Sequence, residues 1–141
     1  MAQFEIKDFT FYYPGINTPA LESINLTVND GDFIVLCGAS GSGKSTLLKM
    51  LKPVLMPHGR TEGRVLFEGE PINKLSLEEQ TASIGFVMQS VENQIVTDKV
   101  WHELAFGLES LGICTPVIRR GVAAMAAFFG ISDWFHTNVA E

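Results

Sequence analysis

The stretch VLCGASGSGKSTLLKML, residues 35–51, constrains this chain more than any other part of it. A short apolar run enters a glycine- and serine-rich loop, and the loop opens into a segment with apolar residues at helical spacing. Gly38, Ser40, Gly41, Ser42, Gly43, Lys44 and Ser45 fall within the pattern G-x-x-x-x-G-K-[ST]. Glycines let a backbone curl without Cβ clashes, so successive N–H groups can face one anion-sized nest. A helix starting near Lys44 would add unpaired N–H groups and the positive end of its dipole. In such a loop Lys44 reaches the β- and γ-phosphates of a nucleotide, and the Ser45 hydroxyl ligates Mg2+. Thr46 is placed to support the α-phosphate. A Gly/Ser turn can match so short a pattern by chance. Here the flanks, a buried-type strand before and an amphipathic helix after, favour phosphate binding.

The rest of the composition narrows the setting. The chain has 141 residues, 46% of them hydrophobic and 18% charged, which suits one globular domain with its own core. A net charge of −6 lacks the basic footprint of a general nucleic-acid binder, so no nucleic-acid partner is expected. Cys37 and Cys114 are far apart and form no CxxC pair, which points to a reduced, cytoplasmic setting. No apolar run is long enough to span a bilayer. His58, His102 and His136 lack metal-ligand spacing, and Asn25-Leu26-Thr27 is a chance glycosylation match.

Along the chain, FEIKDFTFYYPG predicts a strand ending in a Pro-Gly turn, with a bulge at residues 8–9 where the alternation changes phase. Ile24, Leu26 and Val28 alternate in a second strand. FIVLC and IGFVMQ are compact apolar runs, expected as strands buried on both faces. A helix follows Lys44 until Pro53 limits it. GRVLFEGEPI predicts a further strand and turn, and Ser76 with Glu79 has the spacing of a capping box. Two helices are then expected. One follows Thr97–Asp98 with Val100, Trp101, Leu104, Ala105, Leu108 and Leu111 on one face and Gly112 past its end; the other starts with Thr115 as cap before Pro116.

Several phosphate-loop classes compete for such a chain. A small GTPase needs D-x-x-G and N-K-x-D; the first does not occur, and Asn73-Lys74-Leu75-Ser76 lacks the aspartate. Small-molecule kinases begin near their loop, whereas 37 β-rich residues precede Gly38 here. Four stretches then become specific together: FTFYYPG, GASGSGKSTLLKML, IGFVMQSVENQIV and VWHELAFGLESLG. In order and spacing they resemble the front part of an ATP-binding cassette (ABC) ATPase. Within that superfamily the chain is most similar to the ATPase subunits of energy-coupling factor and cobalt-type importers.

The resemblance implies an α/β P-loop NTPase fold in its front half. Residues 1–34 would begin an antiparallel β subdomain, residues 35–90 would form a partial RecA-like core carrying the phosphate loop and a β insert, and residues 91–141 would hold the glutamine loop and the start of a helical subdomain. ATP and Mg2+ are the implied cofactors. Tyr13, the aromatic before Pro14, would stack on adenine as a flat ring that does not read the base edges closely. Gln89 matches the family's glutamine that contacts Mg2+ or the attacking water, so Lys44 and Gln89 are the implied catalytic side chains. The helix after residue 99 would line the groove that receives a transmembrane coupling subunit, and Glu103 either faces that partner or is a solvated charge. Val91 stands where the family pattern NPENQ has proline. A second ABC ATPase subunit, identical or not, is the other implied partner, at the inner face of the cell membrane.

Parts of the family machinery are not in these residues. Glu68 follows Phe67 with no aspartate before it, and ISDWFH is no apolar strand, so neither supplies the acidic strand of an ATPase. The signature LSGGQ and the switch histidine are likewise absent from the sequence. The chain is therefore expected to be an N-terminal portion that binds ATP without splitting it efficiently, with apolar strand edges left open to self-association or rearrangement. The competing expectation is a stand-alone nucleotide-binding or interaction module without ATPase activity.

Overall fold

A computed structural model describes residues 2–139. They divide into two compact units, Met1–Ile84 and Gly85–Glu141.

The first unit is an antiparallel sheet with short helices. Strands β1 (Ala2–Tyr12), β2 (Leu21–Asn29), β3 (Arg60–Phe67) and β4 (Glu70–Pro71) lie in the order β2-β1-β3-β4. The expected bulge is present: the register of β1 shifts against both neighbours between residues 6 and 10, and Asp8 adopts φ 46°. The extra residue lets Ile6 and Phe9 both point into the core instead of onto opposite faces. Two features hold it. The Asn25 amide accepts from the Asp8 N–H and donates to the Asp8 carboxylate, both at 3.0 Å. Gly63 faces the bulge at φ 77°, where a Cβ would stand 2.2 Å from the Asp8 carbonyl oxygen. Asn25, flagged by the sequon, is thus a bulge latch.

Helix α1 (Lys44–Met50) ends before a 3-10 turn at Pro53–Leu55, as the proline requires. Its buried side, Leu47 and Met50, joins Phe11, Leu21, Val65, Phe67 and Ile72 in one core. Helix α2 (Leu77–Ser83) carries the predicted capping box, with Ser76 and Glu79 bonded reciprocally. The Ser76 backbone bond, then its side-chain bond, hold the Glu79 carboxyl below its ordinary value. Buried Gln80 on α2 accepts from the Val54 N–H and donates to the Leu75 carbonyl, fastening the turn after α1.

The two apolar runs expected as fully buried strands are not strands. Residues 33–37 form no ladder bonds, and Phe33 is 92% exposed; only Leu36 packs on the core. Residues 85–89 are likewise unpaired, with Val87 76% exposed. An apolar run becomes a buried strand only between partner strands, and the one sheet among the described residues is antiparallel and does not include them.

The second unit pairs helix α3 (Val100–Ser110) with helix α4 (Thr115–Phe128) around Ala105, Ile118 and Val122. Leu104, Leu108 and Phe135 pack on that small cluster. Of the face expected on α3, Trp101 departs: it is exposed and stacks on His102 with ring centroids 5.0 Å apart. The helix starts also differ. Cys114, not Thr115, occupies the cap position of α4, without a side-chain capping bond, and Thr115 is the first helical residue. Helix α3 has no side-chain cap; the carbonyls of Thr137 and Phe135 accept from the N–H groups of Val100 and Trp101.

Candidate functional site

The first unit collects most of the residues singled out by sequence. The loop of residues 38–43 turns on Gly38 at φ 153°, Gly41 at φ 80° and Gly43 at φ 88°. Gly43 is the position that tolerates least: an added Cβ would lie 2.6 Å from the Ala20 carbonyl oxygen and 3.0 Å from Leu21. The loop therefore sits directly against the start of β2, and only glycine permits both that approach and that φ. At Gly38, whose φ of 153° itself favours glycine, a Cβ would meet the Ser42 Oγ at 2.9 Å.

Lys44, the first residue of α1, folds back over this loop. Its Nζ donates to the carbonyls of Gly38 at 2.9 Å and Ala39 at 2.7 Å and to the Ser42 Oγ at 3.2 Å. The ammonium is thus held at the loop it would serve. Ser40 and Ser45 are exposed, while Thr46 is buried. Glycine-lined space beside a tethered ammonium and an exposed hydroxyl is a donor set that fits a phosphate-bearing ligand with its magnesium ion.

Tyr13 is tied to the same element. Its hydroxyl and the Thr46 Oγ1 are 2.9 Å apart in a hydrogen bond, and its ring meets the edge of Phe11 with centroids 4.9 Å apart. Tyr13 also lines a groove of about 560 Å³ formed by residues 12–17 with Gly59 and Arg60. The Arg60 guanidinium lies over the Tyr12 ring, 4.2 Å from its centroid. The two tyrosines thus divide the work: Tyr12 packs with an arginine, and Tyr13 joins the groove to the first turn of α1.

Gln89 belongs to the second unit, exposed at the end of residues 85–89. Two polar side chains organise the stretch after it: Gln94, for which the sequence suggested no role, and Glu103, expected either to face a partner or to be a solvated charge. Gln94 accepts from the Met88 N–H at 2.7 Å and donates to the Phe86 carbonyl at 3.0 Å. Glu103, on α3, accepts from the N–H groups of Val96 and Thr97 at 3.1 and 2.9 Å and from the Thr97 hydroxyl at 3.0 Å. Burial raises the Glu103 pKa, but the bonds from Thr97 and Val96 together outweigh it, and the carboxyl is held below its ordinary 4.5. Glu103 is therefore a loop anchor. The Glu-Asn-Gln string and a glutamate one turn into a helix were the available signals; apart from the Thr97 hydroxyl their partners are backbone groups, which carry no side-chain pattern.

Among the described residues no group of three or more His, Cys, Asp or Glu is arranged to hold a metal ion, and no helix is long and apolar enough to cross a membrane. The profile of the ABC transporter family matches residues 21–140. A Bacillus anthracis protein described as an ABC transporter ATP-binding protein is 40% identical over 139 residues, which is 99% of this chain and 25% of the relative. The energy-coupling factor transporter ATP-binding protein EcfA of Syntrophomonas wolfei is 37% identical over 120 residues, covering 83% of this chain and 42% of that protein. The solved structure of cbiO1 from Clostridium perfringens, part of the ABC transporter complex cbiONQ, superposes with a TM-score of 0.78 at 27% identity. That match covers 97% of this chain and 54% of the other. The chain thus spans about a quarter of the Bacillus relative and about half of cbiO1. With its phosphate loop, its antiparallel sheet and these likenesses, the chain belongs to the ABC transporter family, in the P-loop ATPase fold shared with energy-coupling factor ATP-binding proteins.

Proposed function

We propose that this chain is the Mg-ATP-binding portion of an ATP-driven importer of a small micronutrient, a vitamin or a metal ion. The observation that carries the reading is the loop of residues 38–45 with Lys44 bonded across it, inside a chain that matches the ABC transporter family. Tyr13 presents a ring for adenine from a position fixed by Thr46, which lies next to the residues that take the phosphates. Lys44 exchanges its bonds to the loop carbonyls for phosphate oxygens, so the ammonium has acceptors with or without ligand. The backbone N–H groups of Gly41, Ser42 and Gly43 orient the phosphates, while Ser45, Thr46, Ser40 and Gly38 complete the cradle. Bound Mg2+ would neutralise β- and γ-phosphate charge, and Ser45 is the side chain of the first unit that would hold it; for Gln89 the same role rests on the family resemblance alone.

Lys44 and Gln89 are the groups through which these residues act on the terminal phosphate. The sequence carries no acidic strand to activate water, so this chain binds ATP more readily than it turns it over. EcfA and cbiO1 supply the analogy for the partners: a second ATPase subunit and a transmembrane coupling subunit, with the chain at the cytoplasmic face of the membrane. Titration with Mg-ATP beside the Lys44→Ala variant tests the nucleotide site. Affinity is expected to fall by about a hundredfold, the loss of charge-assisted bonds to phosphate. Equal binding by both proteins would remove the loop from the nucleotide site.

A further inference from the structure

Residues 85–89 present backbone groups that no strand pairs with, yet the segment ends in the glutamine assigned to the nucleotide. One side chain supplies what a neighbouring strand would. The Gln94 amide takes the Met88 N–H on its oxygen and gives its own N–H to the Phe86 carbonyl. An acceptor and a donor two residues apart on one edge of an extended chain are the groups that a ladder partner would engage. Gln94 closes the 3-10 turn Val91–Gln94, and that turn leads into residues 96 and 97, which Glu103 anchors to α3. The loop after Gln89 is thus clamped to itself at both ends, by an amide at one and a carboxylate at the other.

We infer that Gln94 is a positioning residue: by gripping the backbone of Phe86 and Met88 it fixes where Gln89 stands and ties it to the loop of residues 91–97. The inference rests on the proposed role of Gln89. Displacement of that loop, by a protein seated on it, passes to Gln89 through two hydrogen bonds instead of through slack chain. Gln94 touches no ligand in this scheme. An amide is required because it both donates and accepts; a carboxylate keeps only the acceptor.

Amide hydrogen exchange on the chain, read at single residues by NMR, tests this. Without nucleotide, Gln94→Ala is expected to speed exchange of the Met88 amide by about tenfold, while Gln94→Glu, which retains an acceptor, falls between it and the parent. The tryptophan-fluorescence unfolding midpoint of Gln94→Glu stays at the parent value, because the clamp is local. With Mg-ATP, protection of the Gln89 and Val96 amides rises together in the parent, and in Gln94→Ala the two responses separate. Met88 exchange unchanged in both variants overturns the inference, and so does joint protection that persists in Gln94→Ala. The arm without nucleotide is independent of ATP. If the parent and Lys44→Ala fail alike to bind ATP, the proposed function falls, and Met88 exchange still decides whether Gln94 grips the segment.

Discussion

The two units are held by different means. In the first, a ten-residue core joins sheet and helices, and its contacts link positions far apart in sequence, from Ile6 to Ile84. In the second, three buried residues form the centre, and the loop ahead of α3 depends on polar bonds from Gln94, Glu103 and Lys99. The phosphate loop is mounted on the first kind of structure. Gln89 is mounted on the second. Geometry that must recur unchanged is thus carried by apolar packing, which is dense and responds little to surroundings. The stretch that carries Gln89 is held by a few hydrogen bonds, each worth only about 0.5–1.5 kcal/mol net.

The sharpest way to break this contrast is in the sheet core. Phe11 is fully buried, its ring meets Tyr13, and its neighbour across the strand carries the loop-facing start of β2. Phe11→Ala is expected to destabilise the first unit by about 3–5 kcal/mol, the range for a buried phenylalanine whose cavity cannot fully close. It should also weaken ATP binding, because Tyr13 loses the edge it rests on. Exchange rates of the β1 and β3 amides measure the first effect. Both tryptophans, Trp101 and Trp134, lie in the second unit, so their fluorescence reports separately on α3 and α4. An equal change in both signals would mean that the units do not differ in the way described.

Much of the first unit was legible from residues alone, and the reasons are local. The phase change at Asp8, the capping box at Ser76 and the glycine pattern at residues 38–43 are each decided within a few residues. FIVLC and IGFVMQ failed for the opposite reason. Their hydrophobicity is that of central strands, but a strand is a relation between segments, and none of the strands of the sheet pairs with them. The likeness to cbiO1 places the fold correctly even so, since it rests on the whole chain path rather than on those ladders. Lys44 and Tyr13 could be singled out because the roles proposed for them need particular residue types at particular spacings, and the structure places both beside the glycine-rich loop or the first turn of α1. Sequence assigns Gln94 no role and leaves Glu103 between a partner-facing and a solvated charge, because both bind mainly backbone, and any sequence offers backbone.

A second test moves to the polar clasp. Glu103 has a lowered pKa, so its bonds to Val96 and Thr97 are fully present above the ordinary value of 4.5 and are lost as pH falls through the lower folded value. Fluorescence of Trp101, two residues away, should therefore change below pH 4.5. Glu103→Gln removes the charge but keeps an oxygen. It should cost about 1 kcal/mol at neutral pH, the charged-acceptor contribution reduced by solvent, and should flatten the acid response. An acid response of the same size in Glu103→Gln would place the titrating group elsewhere.

The smallest expected effect sharpens the comparison from the other side, because it puts a polar clasp inside the apolar unit. Ser76 caps α2 by accepting from the Glu79 N–H at 3.2 Å, while the Glu79 carboxylate accepts from the Ser76 N–H at 2.7 Å. Ser76→Ala removes one of these two bonds and is expected to cost about 1 kcal/mol or less, since the surrounding residues are exposed. The consequence should stay local, because buried Gln80 and Ile84 tie α2 to the core and to the turn after α1. Exchange of the first α2 amides should quicken several-fold, with Mg-ATP affinity unchanged. A loss of ATP affinity in Ser76→Ala would show that a polar cap steers the phosphate loop as well, and that the division between packed and clasped regions does not follow the two units.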